Sequence, residues 1–384
     1  MLAAMSAVHA PTLSARERER YQRHLSLQEL GSAGQERLKA ARVLVVGAGG
    51  LGSPAALYLA AAGCGTLGLV DYDCVELSNL QRQVLFDSSA IGRPKAASGA
   101  ERLAALNPDI RINAHAVRLT ADNVRALFEQ YDLVLDGTDR LPAHYLINDA
   151  CVLLQRPLVA AAIHRFEGQL MTYVPGAGPC YRCAFPHGAA AAVASCADAG
   201  VLGVLPGVLG TLQATEAIKL ITGAGATLIG RLLTYDALEM RFAEFRIRRR
   251  SDCAVCGDHP TITLAEHAMA TSNSASPQGI RRISAQQLSE LLGAGPPPLL
   301  VDVRESDEFG AGHLPGSMHI PLGELSARLG EITGRAAPVF ICRSGGRSLA
   351  ACQMALAANI SAPTNLEGGL KAWAAEIDPS LRVL

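Results

Sequence analysis

Residues Arg42 to Gln83 read RVLVVGAGGLGSPAALYLAAAGCGTLGLVDYDCVELSNLQRQ. Val43 to Val46 form a short apolar run suited to a buried parallel strand, Gly47, Gly49 and Gly52 supply GxGxxG, and Ser53 to Ala62 has helical composition. Thr66 to Val70 make a second strand, after which Asp71 is placed to accept both hydrogen bonds of a ribose diol. The glycines, Gly50 among them, let the backbone turn tightly and leave N–H groups at a helix N-terminus facing a phosphate. The stretch is a nucleotide-binding βαβ unit, and it sets the fold class as α/β, with a Rossmann-like, mainly parallel sheet.

A bare glycine pattern of this kind usually marks a nicotinamide cofactor. Here Ser78, Asn79, Leu80, Gln81, Arg82 and Gln83 follow just beyond Asp71, and Lys95 stands in GRPKAAS. A redox cofactor has only a pyrophosphate to hold. These amides and cations suit a triphosphate that must be cleaved. A solvated loop explains Lys95 alone but not the whole constellation.

The 384 residues suggest roughly two or three domains, each able to bury a core. A formal net charge of -1 points neither to nucleic acid nor to an anionic membrane surface. Residues 1–14 read as a flexible N-terminus rather than a signal peptide, since no basic segment precedes an apolar core. The apolar stretch Ala199 to Leu212 is broken by Gly and Pro and suits a buried core or interface rather than a membrane span. A cytoplasmic protein is expected. There, ten cysteines are better explained by metal and sulfur chemistry than by disulfides. Cys180 with Cys183, and Cys253 with Cys256, each have the CxxC spacing that lets two thiolates reach one tetrahedral ion. A structural zinc site follows; redox chemistry is the alternative for either pair taken alone.

Ser14 and Glu17 form a capping box opening the charged helix RERERYQRHLSL. Strand-like and helix-like runs then alternate: Ile110 to Ala116, Ala121 to Gln130, Leu133 to Leu135, Ala143 to Leu154 and Leu158 to Ala161. Residues 15–265 form one domain, and residues 266–279, ending in the small-residue stretch ATSNSASPQG, form a linker. Residues 280–384 make a smaller α/β domain with strands Leu299 to Val303 and Pro338 to Ile341 and a helix Leu349 to Ala357.

Cys342 ends a strand and opens CRSGGRS. A loop so placed wraps N–H groups around the sulfur, and Arg343, Arg347 and a helix N-terminus favour its thiolate. Cysteine-dependent phosphatases place five residues between Cys and Arg, whereas four intervene here, which suits a bound sulfur atom better than a phosphoryl group. Cys196, among small apolar neighbours with no activating base, reads from its surroundings as a core cysteine.

Residues 15 to 262 resemble the molybdopterin-synthase and thiamine-biosynthesis adenylyltransferases, relatives of ubiquitin-activating enzymes. The residues that carry this are RYQRH at Arg20 to His24, GAGGLG, Asp71 to Asp73, SNLQRQ, Gly137 to Asp139, Phe166 to Gln169 and the paired CxxC motifs. Residues 280 to 384 resemble a rhodanese domain, through Asp302 to Glu305, Gly312 to Pro321, CRSGGRS and Glu367 to Trp373. The order matches fused adenylyltransferase-sulfurtransferases.

This resemblance implies ATP at the glycine loop and Asp71, with Ser78 to Arg82 and Lys95 around its phosphates. Asp139 would organise Mg2+ beside Arg140, and Arg23 would complete the site of a neighbouring subunit in a homodimer. It implies that a ubiquitin-like sulfur-carrier protein ending in Gly-Gly, of the molybdopterin-synthase small-subunit type, is adenylated at its carboxylate. Cys342 would receive sulfur from an upstream donor such as a cysteine desulfurase and pass it on as a persulfide, with Cys196 attacking at the later stage. The zinc stays structural. Two rival readings remain at this point: a nicotinamide-dependent oxidoreductase fused to a sulfurtransferase, and a non-catalytic carrier-binding scaffold.

Overall fold

In the computed structural model the described residues are 12–186, 200–264 and 279–383, except 294, 296, 335 and 336. The chain divides into two units, Met1–Thr271 and Ser272–Leu384. The larger unit contains strands β1 (Arg42–Val46), β2 (Thr66–Val70), β3 (Arg111–His115), β4 (Leu133–Asp136), β5 (Leu158–His164), β6 (Glu167–Tyr173), β7 (Arg231–Asp236) and β8 (Arg241–Arg246). They form one sheet in the order β3-β2-β1-β4-β5-β6-β7-β8. The first five run parallel, and β6, β7 and β8 extend the sheet antiparallel. The parallel part carries out the sequence reading; the hairpin extension is a feature the strand-helix alternation did not signal.

Side-chain alternation explains why the sheet is covered on both faces. Val43 and Val45 enter one apolar cluster with Leu67, Leu69, Leu133 and Leu135, while Leu44 and Val46 enter another with Val70 and Val134. Successive residues of a strand point to opposite faces, so an unbroken apolar run is what a doubly covered parallel strand requires. Helices Gly52–Ala61 and Leu205–Thr222 pack together on the first face, where a Cβ on Gly210 would overlap the Leu51 carbonyl. The second helix holds Leu205 and Leu209 fully buried, as the apolar stretch implied, and ends on Gly223 at φ 74°. No helix among the described residues is long and apolar enough to cross a membrane.

The smaller unit is a five-stranded sheet in the order β11-β10-β12-β13-β9, every neighbouring pair parallel. Its strands are β9 (Arg281–Ile283), β10 (Leu300–Asp302), β11 (Met318–His319), β12 (Val339–Ile341) and β13 (Thr364–Leu366). At the end of β10, Asp302 and Arg304 are both fully buried and paired, with Arg304 Nη2 2.7 Å from Asp302 Oδ2 and donating also to the Gly312 carbonyl at 2.7 Å. Breaking such a pair by removing one partner leaves a buried charge uncompensated and costs about 3–5 kcal/mol. Arg304→Leu is therefore expected to lower the urea midpoint of this unit by that equivalent; an unchanged midpoint would contradict the pairing.

Candidate functional site

Register builds the first site. Val46 lies beside Val70 on one side and Asp136 on the other, so the residues that follow, Gly47, Asp71 and Gly137, leave the sheet at one edge. Because the chain runs from β1 out through β2 to β3 and then returns to the other side of β1 with β4, this edge is a topological switch point, where parallel sheets bind ligands. Gly47 turns at φ 89°, and a Cβ there would stand 2.8 Å from the Gly137 carbonyl. Gly52 has no more room, since its Cβ would overlap the Gly47 carbonyl, and Gly50 packs against Pro206. Gly49 differs: the nearest atom to its Cβ would be Gln83 Nε2 at 3.9 Å. Gly47, Gly50 and Gly52 thus serve the packing of the turn, and Gly49 leaves a face open to a ligand. Asp71 Oδ2 accepts the Ala48 N–H at 2.8 Å and Oδ1 that of Asp73 at 2.9 Å. Burial raises its pKa, against the opposing pull of Lys95. The carboxylate expected at a ribose also braces the glycine turn.

The polar tract forms a 3₁₀ turn, Leu77–Asn79, in which buried Asn79 accepts the Glu76 N–H through Oδ1 at 3.1 Å. Ser78 is exposed and its carbonyl accepts from Arg82 Nη1 at 3.1 Å, while Leu80 packs on the core. Exposed Gln81 lies against Gly203. Gln83 is buried and its Oε1 has no hydrogen-bond partner among the described residues. Lys95 opens the helix Lys95–Leu106, is only 6% exposed, and has Nζ 3.7 Å from Asp73 Oδ2. A cation at a helix N-terminus opposes the dipole, and burying an ammonium is costly. One long ion pair offsets little of that cost; an anion beside it would. Asp139 and Arg140 are exposed on the loop after β4, and Arg23 is exposed on the short helix Gln22–Leu25. Among the described residues no hydrogen bond or ion pair joins Arg23 to the glycine loop of its own chain. Cys196 lies outside the described residues.

The paired CxxC motifs meet. Cys180, Cys183, Cys253 and Cys256 place their Sγ atoms within 4.8 Å of one another, with Cys180 3.6 Å from Cys253 and Cys183 3.4 Å from Cys256. Four sulfurs bound tetrahedrally at about 2.3 Å stand about 3.8 Å apart, so the cage fits zinc. Helix Leu141–Leu153 holds one half of it. Asn148 Oδ1 accepts the Tyr181 N–H at 2.7 Å, and fully buried Asp149 takes Arg182 through both oxygens, Nη2 to Oδ2 at 2.7 Å.

In the smaller unit Cys342 follows β12 and is fully buried. Its sulfur accepts the Gly345 N–H at 3.1 Å and lies 3.2 Å from Ser348 Oγ. The helix Gly346–Ala357 begins at that loop, and Gly345 turns at φ 95°. The Gly345 amide and a helix N-terminus therefore face the thiol, in keeping with the loop the sequence implied. Arg347 departs from the expectation. Its guanidinium grips Glu308 through two bonds of 2.6 and 2.7 Å. Burial would push the Glu308 carboxyl up, but Arg347 holds it below its ordinary pKa. The charge of Arg347 is committed to Glu308, and Ser348, which the motif did not single out, takes the place beside the sulfur.

Two outcomes test these sites. Gly47→Ala should destabilise the larger unit by about 1–3 kcal/mol because its conformation is left-handed. Gly49→Ala should leave the melting temperature nearly unchanged and weaken ATP binding; the reverse order would contradict the assignment. Elemental analysis of the purified chain should find one zinc per chain, lost in Cys183→Ser; full zinc retention in that variant would contradict the cage.

Comparison with known proteins agrees with this geometry. Residues 21–255 match the ThiF family, and residues 284–376 match the rhodanese-like domain. The chain is 46% identical to the Bos taurus protein named adenylyltransferase and sulfurtransferase MOCS3, over 95% of this chain and 87% of that one. It is 42% identical to the probable adenylyltransferase/sulfurtransferase MoeZ of Mycobacterium tuberculosis, over 97% of this chain and 96% of that one. The solved structure of E. coli MccB with AMPCPP and selenomethionyl MccA aligns with a TM-score of 0.56 and 25% identity, covering 62% of this chain and 74% of MccB. From the two domains in this order and the two sites they carry, the chain belongs to the ThiF family of adenylyltransferases, in the branch fused to a rhodanese-like sulfurtransferase domain.

Proposed function

We propose that this chain adenylates the C-terminal Gly-Gly carboxylate of a ubiquitin-like sulfur carrier and replaces the adenylate with sulfur drawn from Cys342. The observation that carries the reading is the buried Lys95 ammonium beside a glycine cradle open at Gly49, in one chain with an amide-lined thiol. Carboxylate and triphosphate repel each other, so cations must offset their charge as they meet. Lys95, Arg82 and the Asn79 amide are suited to the phosphates, Asp71 to the ribose, and Arg23 to the site of a second copy in a homodimer. Magnesium, when bound, would neutralise part of the triphosphate, with Asp139 as its ligand and Arg140 beside it; zinc at the four cysteines would fix the fold locally.

In the first step a carboxylate oxygen bonds to the α-phosphorus, the bond to the β-phosphate oxygen breaks, and pyrophosphate leaves with both electrons. In the second, the terminal sulfur of a Cys342 persulfide bonds to the acyl carbon and AMP departs, giving an acyl disulfide. A second thiol, for which Cys196 is the candidate, then bonds to the Cys342 sulfur and releases the thiocarboxylate. The persulfide forms from an upstream donor such as a cysteine desulfurase. The carrier of molybdopterin synthase is the proposed substrate, and a cytoplasmic setting, which keeps thiols reduced, suits the chemistry.

Lys95→Ala is expected to reduce carrier-dependent ATP–pyrophosphate exchange by about 10²–10³-fold. Cys342→Ala should keep that exchange and abolish exchange of oxygen for sulfur at the carrier terminus, read by intact mass. Thiocarboxylate formation by the Cys342 variant, or unaltered exchange by the Lys95 variant, would contradict the reading.

A further inference from the structure

We propose that Asp136 and His144 are a positioning pair that sets the direction of Asp139 toward nucleotide-bound magnesium, an inference resting on the role given to Asp139 above. Asp136 ends β4 and is fully buried, and the Gly137 N–H after it donates to the Val46 carbonyl at 2.9 Å. Its Oδ1 accepts both the N–H and the Oγ–H of Thr138, at 3.0 and 2.7 Å. Its Oδ2 accepts His144 Nδ1–H at 2.6 Å, and Gln213 Nε2 donates to its carbonyl at 2.7 Å. His144 stands in the first turn of the helix Leu141–Leu153, 5% exposed, stacked on Tyr181 with centroids 5.6 Å apart.

The loop that carries Asp139 is thereby fixed at both ends by one carboxylate, while Asp139 and Arg140 project into solvent. A buried carboxylate keeps its orientation only while donors saturate it. His144 occupies Oδ2 and leaves Oδ1 aimed at Thr138. Without the imidazole, the carboxylate is free to turn, Thr138 loosens, and the neighbouring Asp139 loses its set direction. The consequence falls on magnesium-dependent binding rather than on affinity for the nucleotide alone. Asp136 and His144 touch neither nucleotide nor metal in this account and act through Thr138.

Calorimetric titration of the full chain with the non-cleavable analogue AMPCPP, over a range of magnesium concentrations, tests this. His144→Leu should raise the magnesium needed for half-maximal analogue binding about tenfold, the effect of losing a hydrogen bond to a charged group, with magnesium-free binding unchanged. His144→Asn, which keeps an N–H at the place of Nδ1, should restore most of the loss. Thr138→Val should shift the same quantity in the same direction, and it carries the test if His144→Leu does not fold. Asp139→Asn is the reference. If it shifts the magnesium dependence and the His144 and Thr138 variants do not, the positioning inference fails alone. Equal loss of binding with and without magnesium, unrescued by Asn, also overturns it. If Asp139→Asn changes nothing, the reading of Asp139 fails and takes the inference with it.

Discussion

The parallel register of β1 between β2 and β4 aligns Val46, Val70 and Asp136, and the centre of the first site is hung from that alignment. It places the glycine turn, the Asp71 carboxylate and the Gly137–Arg140 loop at one edge without any long-range device beyond sheet pairing. The alignment is itself secured by apolar packing on both faces, with Gly68 leaving room on one of them for the Tyr131 ring. Slipping β1 by one residue would exchange the two clusters and move Gly47 away from Asp71.

The two reactive centres meet different electrostatic demands, the first with a buried cation and the second with a backbone amide. At the glycine loop, Lys95 is a cation whose only ion pair among the described residues is the long one to Asp73. At Cys342 the amide of Gly345 and a helix N-terminus face the sulfur, and Arg347 is paired with Glu308. The first centre is therefore equipped to hold an anion of high charge. The second is equipped to hold a single sulfur anion.

Local chemistry was legible in the sequence where residues a few positions apart act together. The βαβ unit, the CxxC spacings and the Cys342 loop are of this kind, and Ser14 and Glu17 close their capping box at 2.8 and 3.2 Å. What could not be read depends on partners far along the chain or on surfaces without periodicity. Strand β8 is exposed at almost every residue, with Phe242 beside Arg241 and Phe245 between Glu244 and Arg246, so no alternation announced the antiparallel extension. Arg347 finds Glu308 from 39 positions away, which no loop motif encodes. His144 sits in an apolar helix, and only its meeting with Asp136 reveals a buried pair.

The central claim is that the carrier's own carboxylate attacks the α-phosphorus and that its oxygen later leaves with AMP. It is tested most directly with a carrier whose terminal carboxylate bears heavy oxygen, incubated with ATP, a sulfur donor and the full chain. The account predicts AMP carrying one heavy oxygen for each thiocarboxylate formed. Unlabelled AMP, or thiocarboxylate formed without AMP, would contradict it.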